Sequence, residues 1–378
     1  MIKRFNKLLI LFILSLFLTS CWDSGDINKK SITIALGVDD VNDNIEFSGE
    51  IAKITSSPNE GGEKAETSGV YKLLSYGKNF EESRIHYDSV NPYPVFLGAT
   101  RVVVFGNNYA KKGIEPYLHR IDHLYDYRKT LLSVVSRESP TELFNIKIEK
   151  DLSAGFLIED IVNNLISKGE TVHTDIGKIL SDIALGDVGY LLPYIGIEKG
   201  AIKYLGLAVM KDSKLEGIID IEKTHGLLYI LAENPTLIEV MPGDKNEKND
   251  ISFTTFVKKR KITTDYIDEK VIINIDLDLK AQLRYQYYPE PINDEYIKKL
   301  EGMISKKVKN DMVSMIKRAK NEFECDFFDF ARYFRAEHPK IYEKIKWEDQ
   351  FIRSDINVNV KTKIINKSLS DPNAKKKY

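Results

Sequence analysis

Cysteine and tryptophan are nearly missing from this sequence, with two of each in 378 residues. Once Cys21 takes the separate role described below, Cys325 is left without a partner in the chain, so a disulfide framework is excluded and stability has to come from packing. Histidine is scarce too, at six, and the short patterns of common enzyme sites are absent: no GxxxxGK(S/T) phosphate loop, no GxGxxG, no GxSxG and no HExxH. Neither sign of charge dominates. Lys3, Arg4 and Lys7 are the only charged residues ahead of Cys21, and the remainder carries four more acids than bases, a balance that argues against nucleic acid as a partner. Long apolar runs stop before Cys21, and no later segment approaches the ~20 residues that span hydrocarbon.

What is present speaks first at the beginning. A basic stretch over 1–7, an apolar run over 8–18 and the closing Leu18-Thr19-Ser20-Cys21 have the three parts of a bacterial lipoprotein signal. Residues 1–20 are then a signal peptide, Cys21 is the lipid attachment site, and everything from Trp22 onward is expected to be extracytoplasmic and water-soluble. A diacylglyceryl group holds a protein stably at ~0.8 kcal/mol per buried CH₂, whereas one acyl chain is marginal.

Along the chain, 31–38 (SITIALGV) predicts a buried strand with 45–54 as its antiparallel partner, and the Ser-, Gly- and Glu-rich 56–69 predicts an exposed loop. Helices are expected from Asn79 to about Ser89, over 111–125, from Ser139-Pro140, and over 152–166 with Leu152, Phe156, Ile161 and Leu165 as the apolar face. Residues 100–105 and 131–135 supply strands, which gives this half an α/β character. The glycines and Pro193 of 186–200 suggest a boundary or hinge. In the second half, 271–283 alternates cleanly, with 251–261 as a hairpin partner across a polar connection at 263–269. A long amphipathic helix follows over 294–322, its stripe formed by Ile297, Leu300, Ile304, Val308, Met312, Met315 and Ala319, and 356–360 makes a last strand. A helix laid on an antiparallel sheet makes this half α+β, and the whole chain a multi-domain mixed α/β (α+β) protein.

Chemistry-bearing constellations are few. His119, Asp122 and His123 share a helix face with metal-ligand spacing, yet a solvated face over buried Leu118, Ile121 and Leu124 accounts for them, so no metal ligand, catalytic residue or cofactor-binding residue is assigned. His86, His225 and His338 are expected as ordinary polar surface. The pairs Asp39-Asp40, Glu81-Glu82 and Asp276 with Asp278 suit a turn, a helix start and a wet strand face. Cys325, among aromatics, is expected as a small buried thiol. Tyr285, Tyr287 and Tyr288 could form a contact surface or pack on the following helix, and Lys375 to Lys377 could touch anionic lipid.

Several segments, taken in order, resemble the Ger(x)C family, the C-subunit lipoproteins of spore germinant receptors. Cys21-Trp22-Asp23, then Ile27-Asn28 and Gly37-Val38-Asp39, is similar to the family's opening; 98–113 with Asn108 to Ile114 and Arg128 is similar to its middle. Asp326-Phe327-Phe328-Asp329-Phe330, followed by Pro339, Trp347, Phe351 and the 356–360 strand, is similar to its close. Ala99 stands where members often have histidine, and Asp329 and Ala331 replace glycines of a DxFGFG-like stretch. The resemblance implies a non-enzymatic subunit, without cofactor, held by its lipid on the outer face of the spore inner membrane and assembled with integral-membrane A and B subunits. Its domains are expected at 21–195 and 196–370, the latter open to further division. The alternative is a lipoprotein solute-binding component of a transporter, which requires two similar α/β lobes around a cleft; a metal-dependent hydrolase would rest on His119, Asp122 and His123.

Overall fold

The computed structural model describes residues 27–59, 62–124, 126–149, 151–243, 249–288 and 292–366. Cys21 and the basic tail at 375–377 lie outside the described residues. After a 3-10 turn at Ile27–Lys29, the chain forms an antiparallel meander of β1 (Ser31–Val41), β2 (Asn44–Asn59) and β3 (Gly62–Gly77). Asn42 and Asp43 make its first turn with φ of 53° and 60°, the left-handed pair that a two-residue hairpin needs and that Asn and Asp tolerate. Residues 56–59 and 62–69 are thus strand rather than the expected loop: β2 and β3 pair from Ile45↔Gly77 to Asn59↔Gly62, broken by one bulge near Ala52. Ladder hydrogen bonds are made by backbone, so the missing apolar period did not prevent them.

Helix α1 (Phe80–Ser89) starts where expected, Asn79 accepting from the Glu81 and Glu82 amides. The short β4 (Val95–Phe96) returns beside the start of β1, and β5 (Val102–Gly106) lies parallel to β1. The single helix expected over 111–125 is two, α2 (Asn107–Lys112) and α3 (Glu115–His123), because Gly113 takes a φ of 124° and Pro116 opens a new first turn. Next come β6 (Leu132–Ser136), α4 (Pro140–Asn145), α5 (Ala154–Lys168) and α6 (Ile176–Leu185), the last not foreseen. α5 turns Ala154, Gly155, Ile158 and Val162 to the sheet instead of the expected larger stripe, and Leu152 is exposed. Close approach selects the small residues: a Cβ on Gly155 would sit 2.7 Å from that of Ala35.

Three strands complete this sheet, β7 (Tyr190–Glu198), β8 (Ala201–Lys211) and β9 (Lys214–Asp220), in the order β3-β2-β1-β5-β6-β7-β8-β9 with β4 beside β1. The stretch 186–200 is therefore no hinge; most of it is a strand inside the sheet. Pro193 is tolerated because pairing toward β6 is confined to Tyr194 and Ile195. Helices cover both faces of the parallel centre. Leu36, Val38, Val103 and Phe105 pack with α1, α3 and α6, while Ala35, Val102, Val104 and Val134 pack with α4 and α5.

The second half runs α7 (His225–Leu231), β10 (Thr236–Pro242), β11 (Asp250–Ile267), β12 (Lys270–Gln286) and α8 (Asp294–Asn321), then α9 (Phe330–Glu337), α10 (Pro339–Tyr342), α11 (Trp347–Arg353) and β13 (Asp355–Asn366). Its sheet order is β10-β11-β12-β13, antiparallel except that β13 runs parallel to β12. β11 continues to Ile267, so the connection expected over 263–269 shrinks to a turn at Asp268-Glu269, with φ of 50° and 60°. Val271, Ile273, Ile275, Leu277 and Leu279 face α8, whose Leu300, Ile304, Val308, Met312, Met315 and Ala319 are all buried. Each buried Val, Leu, Ile or Met among them contributes roughly 1.5–3 kcal/mol by leaving water.

The two halves meet in one core. Leu191, Leu207, Val209 and Ile219 of the large sheet belong to the same cluster as Phe253, Met312, Phe328 and Trp347. The architecture is α+β, with two sheets of unlike size joined by continuous packing.

Candidate functional site at the junction of the sheets

Asp326 follows Cys325 and precedes Phe327-Phe328, an acid set in an apolar run. Such a carboxylate has to be hydrogen-bonded if it is buried, and this one is: Oδ1 accepts from the Phe328 amide at 2.9 Å and the Phe330 amide at 3.4 Å, and Oδ2 from the Ala331 amide at 2.8 Å and Trp347 Nε1 at 3.0 Å. Burial outweighs those four donors and pushes the carboxyl up to about 6. The Asp326 carbonyl in turn accepts from the Gly189 amide just before β7, at 2.9 Å. Gly189 has to be glycine, since a Cβ there would meet Cys325 Sγ at 2.1 Å and the Met210 carbonyl oxygen at 2.6 Å. Cys325 is buried as expected, and burial pushes its thiol up to about 12.

The next residue to matter is Asp329, held in the left-handed region at φ 62°. That conformation is natural for glycine, which the family resemblance places there, and Asp tolerates it. Its carboxylate lies 3.0 Å from Lys178 Nζ of α6 and 3.3 Å from Arg332 Nε of α9. Lys178 also bonds both oxygens of Asp182 at 2.8 Å, and Arg332 Nη2 bonds Asp182 Oδ1 at 2.6 Å. Two cations and two anions therefore alternate around a square that ties α6 of the first half to α9 of the second. Burial disfavours the charge on Arg332, but its bond to Asp182 and the fields of Asp182 and Asp329 raise it above its ordinary value. Beside the square lies a cleft of about 620 Å³, walled by Thr171 to Asp175, Tyr190, Leu231 to Asn234 and Phe327.

The other interior acids are also held by structure. Asp39, expected in a turn, is buried in β1, where Oδ1 accepts from the Tyr109 amide of α2 at 3.1 Å; burial first, offset by its amide bonds, leaves its carboxyl raised. Glu50 accepts from the Ala154 and Gly155 amides at the start of α5, at 3.0 and 2.7 Å. Glu239, fully buried on β10, takes Tyr229 Oη at 2.9 Å, His225 Nδ1 at 3.3 Å and Lys307. Burial works against that carboxylate, yet His225 and Lys307 prevail and hold it below its ordinary value. His225 is thus part of a buried-acid network rather than plain surface, and His338 bonds the Thr264 carbonyl at 2.9 Å. His86 stays on the exterior of α1.

His119, Asp122 and His123 do lie on one exposed turn of α3, but each is engaged elsewhere. His119 Nε2 is 3.1 Å from Glu115, His123 Nδ1 is 2.7 Å from the His119 carbonyl, and Asp122 bonds Lys129 at 2.6 Å, which lowers its carboxyl. Among the described residues no group of three or more His, Cys, Asp or Glu is placed to hold a metal ion. Tyr285, Tyr287 and Tyr288 stand 55, 58 and 47 % exposed at the end of β12, which decides for the open surface over packing on α8. Sequence reasoning missed the square and the Asp326 cluster; a lone acid flanked by Cys325 and two phenylalanines was the available signal.

Two unlike sheets fused through one core, with the interior acids bonded to amides and to countercharges, define a two-part α+β protein. The first part matches a family described as the spore germination protein N-terminal domain over residues 23–197, and the second matches the spore germination B3/GerAC-like C-terminal family over 205–368. The chain belongs to the Ger(x)C family of spore germination proteins. It is 23% identical over 377 residues to spore germination protein B3 of Bacillus subtilis (strain 168), covering 96% of this chain and 98% of that one. To spore germination protein A3 of the same organism it is 22% identical, with 94% and 96% covered. The crystal structure of the GerBC protein has the same fold, with a TM-score of 0.58 at 20% identity over 88% of this chain and 97% of that one.

Proposed function

We propose that this chain is the lipid-anchored, non-enzymatic subunit of a nutrient germinant receptor. It is held through acylated Cys21 on the outer face of the spore inner membrane and assembles there with integral-membrane A and B subunits. The observation that carries this reading is the order of the chain: a lipoprotein signal ending at Cys21, followed directly by the two germination families over 23–197 and 205–368. The expected division at 21–195 and 196–370 is kept as a proposal for how the two families map onto folding units. Among the described residues no helix is long and apolar enough to cross a membrane; in this reading the acyl chains supply the attachment. The transporter alternative is less well supported, because a nine-stranded and a four-stranded sheet are not two similar lobes.

The test is capture of the tagged protein from spore membranes. Recovery of two co-encoded integral-membrane proteins is the expected outcome, and recovery of a transport ATPase in their place would overturn the reading. Cys21→Ala is expected to release the protein from the membrane fraction and impair nutrient germination; retention of both would remove the anchor from the mechanism.

A further inference from the structure

The chain enters its fold at Ser31, and the loop beside that entry is apolar and open. Ser31 donates its amide to the Pro94 carbonyl at 2.9 Å and its hydroxyl to the Tyr93 carbonyl at 3.0 Å, and β4 pairs with β1 at Ser31↔Val95 and Ile32↔Phe96. Residues 90–96 (VNPYPVF) are therefore fixed against the first residues of the fold. Asn91 braces the same place, donating to the Tyr87 carbonyl at 2.9 Å and lying 3.4 Å from Tyr71 Oη. Pro92 and Pro94 remove backbone freedom. On this rigid base Val90 is 57 %, Tyr93 47 % and Phe96 37 % exposed, and Ile27, in the turn just ahead of Ser31, is 47 % exposed. Lys29, two residues after Ile27 in the same turn, is exposed too.

Val90, Tyr93 and Phe96 held out on a braced loop, with Ile27 exposed at the chain's entry, are apolar surface that needs an occupant. Its position relative to Cys21 names one. Six peptide units separate Cys21 from Ile27, and whatever their conformation they reach at most about 22 Å. With Cys21 acylated, Ile27 is confined within that distance of the bilayer surface and the loop paired beside the entry is held close to it, where the effective concentration of lipid is high and even a weak apolar contact is populated. Tyr and Phe with a lysine in the entry turn are what a headgroup boundary accepts: rings that bury their apolar edge, a phenol that stays wet, and a cation for anionic phosphate.

We infer that Ile27, Val90, Tyr93 and Phe96 form a membrane-docking surface that seats the large sheet against the phospholipid headgroups, so that the protein stands on the bilayer in one orientation instead of swinging from its lipid. This rests on the acylation of Cys21. The parallel strands β1, β5, β6 and β7 begin at this end of the sheet, which puts the β7–β8 turn at Lys199-Gly200 at the opposite end, away from lipid.

The experiment uses the full acylated chain in vesicles of phosphatidylcholine and phosphatidylglycerol. Cys325 is buried and its thiol is pushed up to about 12, so Tyr93→Cys and, separately, Lys199→Cys each supply one reactive thiol for a fluorophore. Flotation with the vesicles reports the anchor, and quenching by a headgroup-borne nitroxide reports docking. Quenching is expected to be at least about threefold stronger from position 93 than from 199, as befits a side chain at the interface. Flotation with equal quenching at both positions overturns the docking surface and leaves the anchor standing. Quenching at 93 that fails with lipid alone, where protection there needs the A and B subunits, also overturns it in favour of a protein contact. Absence of flotation overturns the anchor reading and the docking inference with it.

Discussion

The large sheet is covered by helices on both faces of its parallel centre, whereas the small sheet has one face under α8 and one in water. The two solve the same problem with different materials. In the large sheet every residue of Val102–Gly106 and Leu132–Ser136 is buried, the serines Ser133 and Ser136 included, so these strands carry no charge and no wet face marks their register. In the small sheet burial alternates along β12, and the wet face is finished by side-chain ladders such as Asn357 to Asn274 at 3.0 Å and Asn359 to Asp276 at 3.1 Å. What joins these unlike parts is neither linker nor hinge but a buried acid, a glycine without room for a Cβ, and a square of charges. Two domains in sequence are thereby one packing unit in space.

That comparison can be broken most forcefully at Asp326. Asp326→Ala strips the partner from three backbone amides and the Trp347 indole, and is expected to destabilise by about 3–5 kcal/mol. Urea unfolding followed by Trp347 fluorescence and by circular dichroism should still show one coincident transition, shifted to lower urea. Separate transitions in the parent protein would mean that the halves fold independently and that the junction is only a contact.

A smaller effect separates charge from shape at the same place. Because burial raises the Asp326 carboxyl to about 6 in the folded state from 3.8, its contribution is full below about pH 4 and is lost as pH rises through 6. Against Asp326→Asn, which does not titrate, the parent protein should lose about 2–3 kcal/mol of relative stability between pH 4 and 7. A difference that stays flat over that range would show that the four donors, not burial, set the proton affinity.

The smallest effect sharpens the square. Asp182 is 2 % exposed but its partner Arg332 is 36 % exposed, so solvent screens the pair. A double-mutant cycle of Asp182→Asn with Arg332→Gln should give a coupling of about 1 kcal/mol. A coupling near zero would remove this pair from the connection between the halves and leave it to the apolar core, the Gly189–Asp326 bond and Lys178–Asp329.

Legibility from sequence follows the same division. The alternation of β12 and the stripe of α8 were readable because one wet face supplies polar markers. The loop reading of 56–59 and 62–69 and the hinge reading of 186–200 failed because Ser, Gly and Pro report local preference, and the pairing of β2 with β3 and of β7 with β8 overrode it. The rotation of α5 depended on Ala35 beneath Gly155, a neighbour 120 residues away. At the junction, Asp326 could be noticed among its aromatics, but its partners Gly189 and Trp347 and the Asp182 square are assembled only by the fold. The proposed attachment at Cys21 rests on a contiguous pattern, which sequence alone can display.

The square also sets a timetable. A chain made from its N-terminus can complete the large sheet when β9 ends at Asp220, yet Asp182 then has Lys178 and no arginine until residue 332 has been made. β13, which flanks β12, arrives later still. Domains made early generally fold early, so the first half has to persist with an incomplete wall while more than a hundred residues are still to come. A chain cut short before Arg332 would keep that gap open for good, and the defect would lie on the surface of the half that had already folded.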